Sequence, residues 1–178
     1  LAKINFKIKK QSRENWTIMI YGHADHNLTP AMIEDLLEME QSGSDANLNI
    51  LAQVDIDTNN RATKLWELKH GVGPEYFDGV TRFRIGGDID NNPLSFNSKI
   101  LQRFPESLGM DDPEQLQDFI NWCVTDYPAD NYGLILWNHG AQFAGYGGDS
   151  NNGTLKNYDG LNTKQLRNAI LNTEFTKN

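Results

Sequence analysis

The run Tyr132-Gly133-Leu134-Ile135-Leu136-Trp137-Asn138-His139-Gly140 decides both the fold and the site of this 178-residue chain. Its first six residues form the most apolar strand pattern in the sequence, which we expect to be the most buried strand. A histidine and a glycine follow directly after that strand. In open α/β sheets, ligands bind beyond the carboxyl ends of the strands, so His139 and Gly140 are candidates for chemistry. A His-Gly pair in isolation is more typical of an ordinary turn than of a catalytic site.

Strands and helices alternate along the rest of the chain. Strands are predicted at residues 4–8, 16–21, 48–54, 64–68, 80–85 and 132–137. Helices are predicted at residues 29–39, 112–125 and 163–171, and residues 86–110 lack a periodic pattern and read as loop. This alternation predicts an α/β sandwich with a largely parallel sheet. Residues 1–178 contain no linker-like stretch and are expected to form a single domain.

Composition excludes several classes of function. The net charge is −8, so a nucleic acid or an anionic membrane surface is not expected as a partner. No apolar run reaches the roughly 18 residues that a membrane span needs. The single cysteine, Cys123, allows neither an internal disulfide nor a thiolate metal cluster. Cys123 falls on the apolar face of its predicted helix, so we expect a buried and unreactive thiol.

Metal sites are only weakly indicated. Asp55-Ile56-Asp57-Thr58-Asn59 and Asp88-Ile89-Asp90-Asn91-Asn92 resemble the opening of a calcium loop, but both lack the glycine and the glutamate that follow in an EF-hand. Solvated turns are the favoured interpretation, with calcium left open and Asp149 as a further candidate ligand. His23 and His26 lie three residues apart, but no third zinc ligand can be nominated, so we interpret them as loop residues.

Six segments, taken in order, resemble the clostripain family of cysteine peptidases, whose relatives include caspases, legumains and gingipains. They are residues 16–28, 48–55, 109–113, 116–122, 127–132 and 134–140. No single segment is diagnostic, but their common order is specific and covers most of residues 16–171. The resemblance implies a caspase-like α/β/α sandwich.

The resemblance also implies roles for individual residues. His139 would be the catalytic histidine, and the backbone N–H of Gly140 would form part of the oxyanion hole. The reaction would be hydrolysis of peptide bonds after a basic residue, Arg above all and Lys as an alternative. Asp25 and Asn27, in the first loop beyond the strand ends, become candidates for substrate binding. Capping of their own loop is an equally good interpretation.

The nucleophile implied by the family is a cysteine on the sheet strand after the last predicted helix. No cysteine follows His139 in these 178 residues. Members of the family are cleaved into two associated chains, so we expect this polypeptide to be the N-terminal, histidine-bearing chain of an obligate heterodimer. The cysteine would come from the C-terminal chain of the same precursor. The resemblance further implies a secreted, periplasmic or cell-envelope bacterial enzyme whose leader has been removed.

Three alternatives stay open at this point. The first is a catalytically inactive caspase-like binding or regulatory module, because the nucleophile is not visible. The second is a hydrolase that uses His139 with a metal, for which further ligands are lacking. The third is a truncated polypeptide, which should fold poorly.

Overall fold

A computed structural model of the chain describes residues 15–58, 77, 79–87, 96–105, 107–140, 145–147 and 160–176. Within these ranges the strands are β1 (Trp16–Ala24), β2 (Leu48–Ile56), β3 (Thr81–Arg84), β4 (Lys99–Arg103) and β5 (Asn131–Trp137). The helices are α1 (Thr29–Ser42), α2 (Pro113–Asp126) and α3 (Thr163–Leu171), followed by a 3₁₀ turn at Glu174–Thr176. The predicted strands at residues 4–8 and 64–68 lie outside the described residues.

The five strands form one sheet in the order β4-β3-β2-β1-β5. Strand β1 pairs in parallel with β2 on one side and with β5 on the other. The pairs β2–β3 and β3–β4 are antiparallel. The chain therefore leaves β1 in one direction along the sheet and returns to its opposite side. That reversal places a switch in strand order between β1 and β5, where a crevice is expected at the carboxyl ends.

Two apolar cores lie on opposite faces of the sheet. Helix α1 packs on one face through four of its apolar residues, Met32, Ile33, Leu36 and Leu37. Helices α2 and α3 cover the other face, where Phe119, Ile120 and Cys123 join Leu161 and Ala169. Parallel strands need helical connections that bury both faces, which is why β1 reads as an apolar run. The predicted α/β/α sandwich is confirmed, with a mixed sheet.

The helix ends follow their sequence signals. Helix α2 begins after Asp112, whose carboxylate accepts a hydrogen bond from the N–H of Glu114 at 2.9 Å, with Pro113 in the first turn. Helix α3 begins with a capping box, in which the side chains of Asn162 and Gln165 bond each other's backbone N–H groups. These caps fix the starts of the two helices that cover one face of the sheet.

Strand β4 lies within residues 86–110, for which the sequence predicts a loop, and that prediction is wrong here. The sequence Lys99-Ile100-Leu101-Gln102-Arg103 has charged ends, and its side chains are at most half-buried. It lies beside β3 at one side of the described sheet, where a strand needs no continuous apolar pattern. Its pairing with β3 also carries an irregularity between Arg82 and Phe83.

Strand β5 is not the most buried strand, contrary to the sequence-based expectation. Its residues are mostly half-buried, and the side chain of Ile135 is 47% exposed. Strands β1 and β2 are more deeply buried, because each has a neighbour on both sides. Among the described strands, β5 pairs only with β1. Packing within the described part of the chain therefore leaves some of the apolar surface of β5 exposed.

Candidate active site

The loops after β1 and β5 meet at the switch in strand order. The side-chain amide of Asn138, the first residue after β5, donates a hydrogen bond to the carbonyl oxygen of His23 near the end of β1, at 2.6 Å. The side-chain oxygen of Asn138 also accepts a hydrogen bond from the backbone N–H of His139. One asparagine thus joins the two strand ends and fixes the backbone from which His139 projects.

His139 is exposed, yet its ring has a defined in-plane partner. Nε2 lies 3.3 Å from Oδ1 of Asn27, in the loop after β1. An amide oxygen can only accept a hydrogen bond, so in neutral His139 this contact places the proton on Nε2 and the lone pair on Nδ1. An imidazole with its lone pair on one nitrogen and a fixed N–H on the other is the usual form of a general base.

His26 supports the ring of His139 from one side. The two rings are stacked, with centroids 5.3 Å apart and planes inclined by 27°. Nδ1 of His26 accepts a hydrogen bond from the backbone N–H of Leu28 at 3.1 Å. Burial is the main cause that lowers the pKa of His26, and the charge of His139 lowers it further. His26 therefore prefers its neutral form.

Tyr146 contacts the backbone of both β1 and β5 near their carboxyl ends. Its buried hydroxyl lies 2.7 Å from the carbonyl oxygen of Tyr21 in β1 and 3.1 Å from that of Trp137 in β5. The two carbonyl oxygens share its one proton as acceptors. Burial raises the pKa of this phenol well above its ordinary value. The backbone of Tyr146 forms bridges with Gly140 and with Leu161. Tyr146 is therefore anchored to both β1 and β5.

Two glycines in this region serve different purposes. Gly147 has a φ of +81°, and a Cβ there would lie 2.9 Å from Nδ1 of His23. Conformation and packing thus both require glycine at position 147. At Gly140 a Cβ would meet no described atom within 4 Å, and φ is not positive. Packing among the described residues does not demand glycine at position 140.

The other predicted residues separate into exposed and buried ones. Asn27 is exposed and contacts His139. Asp25, the second candidate for substrate binding, is only 2% exposed. His23, interpreted as a loop residue from the sequence, is a buried residue of β1 that pairs in register with Asp55 of β2. The strands extend past their apolar parts into these polar residues because the β1–β2 pairing continues.

Cys123 is far from His139. It is fully buried, and burial raises the pKa of its thiol well above the ordinary value. The carbonyl of Tyr127, one turn later, accepts a hydrogen bond from Thr17 at the start of β1. His139 instead follows the carboxyl end of β5, where its ring contacts Asn27 and His26. The predicted structural role of Cys123 agrees with this placement.

Metal ligands do not cluster in the described part of the chain, where no group of three or more His, Cys, Asp or Glu side chains could hold an ion. The second calcium-like stretch, at residues 88–92, and Asp149 lie outside the described residues, as does Asn59 of the first stretch.

The sequence nominates His139 and Asn27, which the structure brings together, but gives no site role to His26 or Tyr146. His26 lies 113 positions before His139, and its sequence offers no signal for a stack. Tyr146 lies in a glycine-rich stretch, residues 140–160, whose sequence predicts only a loop. The one signal that could have found both is topological, because the loop after β1 and the loop after β5 must meet once these strands are neighbours.

The arrangement defines a caspase-like α/β sheet with a histidine at the end of its outer parallel strand. The model of the clostripain family matches residues 20–176, so the chain belongs to that family. It is 30% identical over 152 residues to clostripain from Hathewaya histolytica, an alignment that covers 79% of this chain and 26% of clostripain.

Solved structures support the fold. A secreted cysteine protease of the same family from Bacteroides thetaiotaomicron, in complex with an irreversible peptide inhibitor, superposes with a TM-score of 0.62 at 19% identity. That match covers 88% of this chain and 38% of the protease. An inactive zymogen from Parabacteroides distasonis gives a TM-score of 0.52 at 20% identity, over 73% of this chain and 32% of the zymogen. The chain thus spans about a quarter to two-fifths of the length of these relatives.

Proposed function

We propose that this chain supplies the catalytic histidine, His139, of a cysteine endopeptidase. The observation that carries the proposal is the position of the His139 ring at the switch between β1 and β5, with Nε2 held by Asn27. That contact leaves the lone pair of Nδ1 for the reaction. Membership of the clostripain family supports the same chemistry.

The proposed reaction is amide hydrolysis through a thioester. A cysteine thiol loses its proton to Nδ1 of His139, and the sulfur attacks the scissile carbonyl carbon. The resulting oxyanion accepts hydrogen bonds from the N–H of Gly140 and from the N–H of the cysteine itself. Nδ1–H then protonates the leaving amine as the carbon–nitrogen bond breaks. Water, deprotonated by the same nitrogen, hydrolyses the thioester and releases the acid.

The open space at Gly140 fits this role. Packing within the described residues does not require glycine at position 140. We propose that the glycine instead leaves room for the scissile carbonyl of the substrate. A side chain at position 140 would stand next to the N–H that faces the oxyanion. Removal of one oxyanion donor typically costs on the order of 10²–10³ in kcat.

The nucleophile must come from outside residues 1–178. Cys123 is the single cysteine of the sequence, and its thiol is buried in the core between helix α2 and the sheet. We propose that the cysteine is carried by a C-terminal chain of the same precursor. This chain would add a strand beside β5, which has one described neighbour and exposes Ile135. An apolar strand edge of this kind gains from being covered.

For substrates, we propose cleavage after Arg, with Lys as the weaker alternative. The net charge of −8 favours a cationic side chain. Asn27 is exposed, and we propose that it contacts the substrate with the part of its side chain that does not touch His139. Asp25 is buried, so its carboxylate would attract a basic substrate side chain electrostatically and without direct contact. The main specificity residues are proposed to lie on the cysteine-bearing chain.

We also propose that the enzyme acts outside the cytoplasm, in the secreted or cell-envelope compartment of a bacterium. The support is the secreted relative from Bacteroides thetaiotaomicron. In the described part of the chain, no helix is long and apolar enough to cross a membrane.

The experiment that tests this proposal uses the complete enzyme and pairs of fluorogenic peptides that differ only in Arg, Lys or Gln before the scissile bond. We expect kcat/KM in the order Arg, Lys, Gln. The Cys123→Ala variant should retain this activity, and an irreversible alkylating inhibitor should label a cysteine outside this chain. Loss of the alkylation site with Cys123→Ala would overturn the proposed nucleophile, and equal cleavage of all three peptides would overturn the proposed specificity.

A further inference from the structure

We infer that His26 is a positioning residue, whose ring holds the imidazole of His139 in the orientation needed for proton transfer. This inference rests on the proposed function of His139. It assigns a role to a residue of the first loop for which the sequence offered only a structural interpretation.

The first step is that His26 is itself held in place. Its Nδ1 accepts the backbone N–H of Leu28 at 3.1 Å, a contact that spans two residues of the same loop. Because Nδ1 accepts, the proton of the neutral ring lies on Nε2. The carbonyl of Ala24 accepts the N–H of His26 at 2.7 Å, so backbone and ring are both fixed at the end of β1.

The second step is that His26 and Asn27 restrain His139 in different directions. The amide oxygen of Asn27 fixes the ring in its own plane through Nε2. The ring of His26, at 5.3 Å and 27°, restricts motion out of that plane. An exposed histidine beside a glycine would otherwise sample several orientations, and neither contact alone removes both freedoms. Together they leave Nδ1 pointing in one direction.

The third step concerns charge. His139 becomes cationic each time it accepts a proton, and a second cation stacked on it would oppose that step. The groups that face His26 are the rings of His139 and His23, the backbone carbonyl of His23 and the side chains of Asn27 and Asn138. The last three favour protonation of His26, but burial and His139 outweigh them and keep the pKa below its ordinary value. A neutral ring can face an imidazolium without repulsion.

A merely structural role of His26 would depend on the hydrogen bond to Leu28 and not on the ring. Two substitutions in the complete enzyme separate these possibilities. His26→Asn keeps an acceptor two residues before the N–H of Leu28, as in an Asx turn, but removes the stack. His26→Phe keeps the stack but removes the acceptor.

If His26 positions His139 through its ring, His26→Asn should lower kcat by about 10–100-fold with KM within about twofold, since a misplacement of about 1 Å can cost on the order of 10²-fold. His26→Phe should keep more of kcat than His26→Asn. The reverse order, with His26→Asn near the wild-type rate, would overturn the inference in favour of a loop role. Wild-type kcat in both variants would overturn it as well.

Separate control experiments test folding and the proposed function. Thermal unfolding of each variant reports on folding, and His26→Tyr is a second variant that keeps the stack. Should neither aromatic variant fold, kcat of His26→Asn decides alone, with loss at constant KM supporting the inference and no loss overturning it. A His139→Ala variant is assayed in parallel. If it remains active, the proposed function fails; if it is inactive while the His26 variants match wild type, only this inference fails.

Discussion

His139 is an exposed side chain that is restrained on two sides, by the amide of Asn27 and by the ring of His26. This combination suits a base that must reach a substrate and yet keep one orientation. The exposure gives the substrate access to the ring. The contacts restrict the ring to few orientations, so less entropy is lost when it takes up the orientation needed for proton transfer. Neither contact buries the imidazole.

At Gly140, we expect substitution by alanine to separate stability from activity. Because a Cβ would meet no described atom within 4 Å, Gly140→Ala should change the free energy of unfolding by less than about 0.5 kcal/mol. The same methyl group would stand in the space proposed for the scissile carbonyl and lower kcat/KM about tenfold or more.

The matched control for that substitution is Gly147→Ala. Its φ of +81° and the close approach to His23 predict destabilisation by about 1–2 kcal/mol. Chemical denaturation and kinetics on both variants provide the comparison. A stable Gly140→Ala enzyme with full activity would contradict the placement of Gly140 in the oxyanion hole.

The lowered pKa of His26 predicts how stability depends on pH. In the unfolded chain this histidine titrates near its ordinary pKa of 6.5, whereas in the folded protein it resists protonation. The unfolded state therefore binds more protons as the pH falls through 6.5, and the stability of the folded state decreases. Between pH 7.5 and 5.5, the melting temperature of wild type should fall further than that of His26→Phe. Parallel curves for the two proteins would show that His26 is not desolvated.

At the scale of the elements, the crevice depends on how the ends of β1 and β5 are joined. Asn138 joins them through a side-chain amide, and Tyr146 joins them through a hydroxyl placed between two carbonyl groups. Both contacts lie next to His139 in space or in sequence. Tyr146 is therefore part of the support of the site.

Tyr146→Phe should lower both stability and turnover. The buried carbonyls of Tyr21 and Trp137 would lose a donor, at a cost of about 1–3 kcal/mol. Because the backbone of Tyr146 pairs with Gly140, kcat should fall as well, with KM little changed.

Tyr132→Phe is the control for that variant. Its hydroxyl accepts a hydrogen bond from the N–H of Ala129 at the start of β5, away from the crevice. We expect a loss of about 0.5–1.5 kcal/mol without an effect on kcat. If Tyr146→Phe is destabilised but turns over normally, the Tyr146 hydroxyl does not support the site.

The elements could be predicted where local signals are strong. Helix α3 begins and ends at the predicted residues because its capping box and amphipathic pattern agree. Strand β4 could not be predicted, since its side chains are at most half-buried and its position depends on pairing with β3. The stack of His26 on His139 was out of reach for a similar reason. It depends on the β1–β5 register between segments more than a hundred residues apart.

At the scale of the whole molecule, the two outer strands of the described sheet differ in the side chains that they expose. The side formed by β4 has charged ends, whereas β5 exposes Ile135 beside half-buried apolar residues. Charged residues protect a strand from pairing with another chain, and apolar ones invite it. This asymmetry supports the proposal that the cysteine-bearing chain adds beside β5.

Ile135→Lys should therefore weaken the association of the two chains about tenfold or more, since covering the exposed half of the isoleucine contributes about 0.7–1.5 kcal/mol and burying a lysine there costs free energy in addition. Leu171→Lys is the control, because Leu171 is also 47% exposed but lies on helix α3. Co-expressed chains separated by size-exclusion chromatography provide the measurement. Equal co-elution of wild type and Ile135→Lys would argue against docking at β5.

The central claim is that His139 moves the proton in a cysteine peptidase, and the most direct measurement is kcat of the complete His139→Ala enzyme on an Arg-containing fluorogenic peptide. We predict a fall of about 10²–10⁴-fold, the usual contribution of a general acid–base group, with the two chains still associated and the melting temperature little changed. A His139→Ala enzyme that cleaves this peptide at a rate close to that of wild type would contradict the account.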